Sequence, residues 1–66
     1  MSNGIDTRKL AIPEEAAEFL RTTPGVLQQL RFRGVGPRYV KSGRRVLYSW
    51  ADLNAYVEEN THGGAA

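Results

Sequence analysis

Three prolines constrain this chain more than any other feature. Pro13, Pro24 and Pro37 each stop a helix from running through them, because proline lacks the amide hydrogen and its ring clashes with the preceding turn. Pro13 and Pro24 both stand where an apolar-periodic segment begins, the position at which a helix tolerates proline best. Pro13, Ala16, Ala17 and Leu20 fall at i, i+3, i+4 and i+7, and Phe19 widens the stripe, so a first helix is expected from about Pro13 to Arg21. Glu14 and Glu15 occupy its first turn, where negative charge meets the positive helix end. Thr22-Thr23-Pro24-Gly25 is a break and a restart, with Thr23 as N-cap. The second helix is expected to run to about Arg33, with Val26, Leu27 and Leu30 inward and Gln28, Gln29 and Arg31 outward. Gly34-Val35-Gly36-Pro37 ends it, Gly34 being suited to a left-handed C-terminal residue. Two short helices joined by so tight a turn make a helix-turn-helix.

Beyond Pro37 the pattern changes. Arg38-Tyr39-Val40-Lys41 and Arg45-Val46-Leu47-Tyr48 flank a turn at Ser42-Gly43-Arg44, which reads as a β-hairpin. Tyr39, Val46 and Tyr48 are expected inward, with the charged tip outward. Ser49-Trp50-Ala51-Asp52 is a capping box with Asp in the usual Glu position, opening a third helix. Trp50, Leu53, Tyr56 and Val57 would form its inner face, and Trp50, Tyr56, Tyr39 and Tyr48 together an aromatic core cluster. Leu10 and Ile12 suggest a short extended segment ahead of the first helix. The expected fold is α+β: a small winged helix-turn-helix over residues 10–60, with flexible tails at 1–9 and 61–66.

Charge distribution points to the partner. Arg21, Arg31, Arg33, Arg38, Lys41, Arg44 and Arg45 lie in a stretch to Tyr48 that holds no acid, whereas Asp6, Glu14, Glu15 and Glu18 precede it and Asp52, Glu58 and Glu59 follow. A block of one sign attracts and steers a polyanion. Cysteine is absent and the single histidine, His62, stands in a Gly/Ala-rich tail. Thiolate chemistry, disulfides and a metal site are therefore not expected. The glycines of Gly34-Val35-Gly36 follow a helix rather than linking a strand to one, so they make no phosphate-binding loop. No enzyme, cofactor or small-molecule substrate is expected. No apolar stretch suggests a signal peptide or membrane span, and a cytoplasmic location is the expectation.

From roughly Leu10 to Glu59 the chain resembles the excisionase-type, MerR-like winged-helix family. The resemblance rests on Pro13-Glu14-Glu15-Ala16-Ala17-Glu18-Phe19-Leu20, on Gly34-Val35-Gly36-Pro37-Arg38-Tyr39-Val40-Lys41, on Gly43-Arg44-Arg45-Val46-Leu47-Tyr48 and on Asp52-Leu53-Asn54-Ala55-Tyr56, in that order and spacing. It implies that the second helix enters the major groove of duplex DNA and that the wing touches the backbone or an adjacent minor groove. Family members include phage excisionases, which turn an integrase from insertion to excision, and small transcriptional regulators. Two departures stand out. Ile12 replaces a common Ser or Thr cap. The second helix usually reads Pro-Arg-Thr-Leu-Arg-Arg-Trp, where this chain has Pro24-Gly25-Val26-Leu27-Gln28-Gln29-Leu30.

Glutamine offers adenine a donor and an acceptor at N7 and N6, so Gln28 and Gln29 are candidate base readers. The candidate DNA-contacting set is Thr23, Gly25, Val26, Gln28, Gln29, Arg31, Arg33, Arg38, Lys41, Ser42, Arg44 and Arg45. Phe32 stands where the family commonly has a polar residue, which would make it an exposed aromatic; of its other readings, core or semi-burial is favoured over a helix-end cap or a partner contact. The leading functional reading is a phage-type excisionase whose partners are duplex DNA, neighbouring copies of itself and an integrase. The alternatives are a small transcriptional regulator at a promoter operator and a module that docks an acidic protein. A chain of this length has no room for the long dimerisation helix of a MerR-type sensor. It is therefore expected as a monomer that makes head-to-tail contacts on DNA, with Phe32, Glu58 and Glu59 as candidates for the contact.

Overall fold

The structure is a computed structural model that describes residues 9–63; most of the expected N-terminal tail and half of the C-terminal one lie outside the described residues. The elements run β1 (Leu10–Ala11), α1 (Pro13–Leu20), α2 (Pro24–Phe32), β2 (Val40–Ser42), β3 (Arg45–Ser49) and α3 (Trp50–Glu59). Together they form a small winged helix-turn-helix of the α+β class. The strands make an antiparallel sheet in the order β1-β3-β2, so the short N-terminal segment flanks the wing's inner strand. Among the described residues no helix is long and apolar enough to cross a membrane.

Each helix starts as its sequence dictates. Thr23 Oγ1 accepts from the Val26 amide at 3.2 Å and Ser49 Oγ from the Asp52 amide at 2.9 Å, each pairing one amide that the first turn leaves free. Ile12 cannot cap α1. Half of a capping box survives there, the Ile12 amide donating to Glu15 Oε1 at 3.1 Å. The helix ends differ more. At α2, the Val35 amide reaches the Leu30 carbonyl at 2.9 Å and the Gly34 amide that of Arg31 at 3.0 Å, a Schellman closure with Gly34 at φ +75°. The same pair of bonds closes α1, from Thr22 to Ala17 and from Arg21 to Glu18. There the left-handed position is held by Arg21, at φ 61° and ψ 42°.

The core is small. Ala11, Ala16, Ala17, Leu27, Tyr48 and Leu53 are buried, with Leu20, Leu30, Val46 and Trp50 packed around them. Ala16 and Ala17 let α1 lie close to α2, and Ala11 pairs with Tyr48 across β1 and β3, so the helices cover one face of the sheet. Gly36 (φ +91°) packs against Leu30 so tightly that a Cβ there would lie 2.8 Å from the Leu30 Cβ.

Several inward placements are corrected. Val26 and Val57 are each 41% exposed, because Leu27 and Leu53 alone reach the middle of so thin a core. Tyr39 is 43% exposed, like all of the adjoining edge strand β2. Four of the aromatic residues form two separate pairs and not one cluster: Phe19 meets Trp50 edge to face at 5.5 Å, and Tyr39 meets Tyr48 at 6.3 Å, while Tyr56 belongs to neither pair. The hairpin turn is shorter than expected. Ser42 pairs with Arg45, leaving a two-residue loop, Gly43-Arg44. Gly43 has φ +60° and Arg44 a negative φ, the pattern of a type II′ turn.

Candidate nucleic-acid interface

α2 presents one face that nothing in the described chain covers. Gly25, Gln28, Gln29, Phe32 and Arg33 succeed one another at helical spacing and line a single shallow surface. All five are exposed. From Gly25 to Phe32 that face runs about 10 Å along the helix. Of the expected outward residues, Gln28 and Gln29 are therefore presented together. Val26 borders them. Thr23 sits at the helix start with its oxygen engaged as the cap.

Arg31 corrects the expected outward placement. It is half-buried, and its Nη1 donates to the Tyr48 hydroxyl at 2.5 Å. Its guanidinium carbon also lies 5.7 Å from the centre of the Tyr39 ring and 6.0 Å from that of Tyr48, within the range of cation–π attraction. The buried Tyr48 thereby satisfies its hydroxyl, and Arg31 ties α2 to the hairpin. A guanidinium carries five donors, so this bond leaves most of them free. Sequence reasoning had no signal for the contact, because Arg31 and Tyr48 are far apart in the chain.

The wing stands beside α2 and forms a groove with it. Gln28, Arg31 and Phe32 line one wall; Tyr39, Lys41 and Val46 line the other. Lys41 pairs with Val46 in the ladder, and strand alternation puts Ser42 and Arg45 on the opposite face of the hairpin. Arg44 stands at the tip. Arg38 is drawn elsewhere: it lines a narrow cleft with Asp52, Tyr56 and Glu59, close to the acids of α3. It also borders the hollow that runs from Arg31 along Gly34-Val35-Gly36-Pro37. Gln28, Gln29, Arg31, Arg33 and Lys41 are thus gathered on the α2–wing side. Arg38 and Arg45 stand apart from it.

Phe32 corrects the favoured core or semi-buried reading. It is 92% exposed, at the junction of the α2 face and the wing groove. The chain turns away at Gly34 before any element can fold over the ring.

A family model described as a helix-turn-helix domain matches residues 13–61, a span from the start of α1 past the end of α3. The chain belongs to the helix-turn-helix domain family. As a helix-turn-helix domain it is a DNA-binding module, and DNA is its partner. In such domains the second helix of the pair is the one that lies in the major groove; here that helix is α2, the one with the uncovered face. Comparison with curated proteins and with solved structures returns no match.

Proposed function

We propose that this helix-turn-helix domain reads duplex DNA through the uncovered face of α2 and acts as an excisionase-type recombination directionality factor. The observation that carries the DNA-reading part is the exposed stripe from Gly25 to Arg33, flanked by Lys41 of the wing. Gln28 and Gln29 are the base readers. Arg33, Lys41 and Arg44 bind phosphates, and Ser42 and Arg45, on the hairpin's other face, contribute less. Arg31 contributes the donors it does not spend on Tyr48, and Arg38 the weakest contact, because Asp52 and Glu59 lie near it. Gly25 lies on the α2 face itself, and Thr23 and Val26 are the exposed residues beside it at the helix start. The domain works by binding alone and performs no catalysis.

The excisionase role rests on the family resemblance and on how the charges are spread. Glu14, Glu15 and Glu18 are exposed on α1, Glu58 and Glu59 on α3, while the wing is cationic. One copy can thus meet the next head to tail, acid against wing, along DNA. Such an interface is heterologous and need not close. Copies bound in this way would bend the DNA for an integrase partner in the cytoplasm.

The test begins with sites selected from a random duplex pool. Binding is then measured on fragments carrying one, two or three copies in one orientation, with circular-permutation mobility for bending. Cooperative occupancy and a bend that grows with copy number are the expected result. Independent occupancy of straight DNA, or a two-fold dimer on an inverted repeat, would instead make the protein a transcriptional regulator.

A further inference from the structure

We infer that Phe32 is a specificity residue: its ring receives the C5-methyl group of a thymine in the major groove. The inference rests on the DNA-reading role of α2 proposed above.

Phe32 is 92% exposed, the largest apolar surface that α2 leaves uncovered. It belongs to the same stripe as Gln28 and Gln29 and lies about one turn beyond Gln28. It also forms one edge of the groove shared with Lys41. Along α2 its neighbours are Gln28, Gln29 and Arg33, and across the groove Lys41 stands with Tyr39 and Val46, so no acid lies near it. A protein partner attracted to such surroundings would have to be acidic, yet an acidic surface offers a phenyl ring nothing to pack against. Duplex DNA supplies both chemistries at once. Phosphates suit Arg33 and Lys41, and the thymine methyl is the apolar group that the major groove displays. The Schellman closure at Gly34 fixes the end of the α2 backbone that presents the ring. The geometry points to a recognition code in which glutamine reads a base edge and phenylalanine a neighbouring methyl group.

The test is atomic. In the selected site each thymine is replaced singly by deoxyuridine, which removes only the methyl group, and affinity is measured for wild type, Phe32→Ala and Gln28→Ala. Wild type should lose about fourfold at one thymine or two adjacent ones, the value of one apolar carbon buried. Phe32→Ala should be insensitive to that same replacement, and Gln28→Ala should keep the penalty. The exposed position makes Phe32→Ala safe for folding, which far-UV circular dichroism checks. The inference is overturned if no replacement alters wild-type affinity, if the penalty persists in Phe32→Ala, or if the selected site holds no thymine. It is also overturned if Phe32→Ala abolishes cooperativity on multiple sites while single-site affinity and deoxyuridine sensitivity stay as in wild type, which would assign the ring to a protein contact. These outcomes leave DNA reading by α2 standing; absence of any selected site removes both.

Discussion

Substituting alanine at Gly36 should remove a large part of the domain's stability, and the structure gives the size of the loss. Two costs add. At φ +91° an alanine is strained, at about 1–3 kcal/mol. Its Cβ would also lie 2.8 Å from the Leu30 Cβ and 3.2 Å from its Cδ1. That overlap falls on the stem of a core side chain, so relieving it means shifting α2 or the loop, about 1–3 kcal/mol more. The matched control is Gly34→Ala, where φ is +75° but nothing lies within 4 Å of the new Cβ; it should cost only the strain. A chain of 66 residues has about 3–10 kcal/mol in all, so Gly36→Ala, at about 4 kcal/mol, should leave a partly unfolded population. The two variants should differ by about 2 kcal/mol, or about 8–16 °C in Tm. Urea unfolding followed by fluorescence of Trp50, the single tryptophan, and by far-UV circular dichroism measures both. Equal losses with unchanged m-values would refute the reasoning, because Leu30 would then have moved aside freely.

Three further outcomes are expected. Arg21→Gly should stabilise the domain by a few tenths to about 1 kcal/mol, since relief of the left-handed arginine outweighs the glycine's extra unfolded-state freedom; a lower Tm would show that the arginine side chain earns its strained position. Tyr48→Phe keeps the ring but deletes the acceptor for Arg31, and should cost about 1–2 kcal/mol in a urea titration; a stability equal to wild type would mean that water replaces the hydroxyl without loss. Lys41→Ala and Arg44→Ala should each reduce the slope of log K against log salt by about 0.9, with a smaller change for Arg45→Ala on the hairpin's other face; equal slopes for all three would erase that distinction.

Much of this fold was legible because its punctuation is local. Thr23 and Ser49 cap where they stand, Pro13 and Pro24 open helices, and Gly34 closes one; each effect acts within a few residues. The failures share the opposite character. Arg31 looked outward from the helical pattern alone, and only the fold brings Tyr48 within reach of it. Val26 and Val57 looked buried because periodicity identifies a face but not how much material is available to cover it. Phe32 looked half-buried on hydrophobicity, which says nothing about a chain that turns away two residues later. The left-handed Arg21 carried no signal at all, since glycine or asparagine is the residue that advertises that conformation.

The uncovered stripe of α2 and the core share no residue. Leu27 and Leu30 hold the helix in place, while Gly25, Gln28, Gln29, Phe32 and Arg33 only look outward. Mutations in the stripe are therefore nearly invisible to folding, and selection can explore new target sequences without crossing an unfolded intermediate genotype. Gly25 makes the freedom concrete. A Cβ there would meet only the Thr23 Oγ1, at 3.9 Å, so the helix has room for a side chain to begin there. A lineage could retune its DNA site one substitution at a time, with the rest of the chassis inherited unchanged.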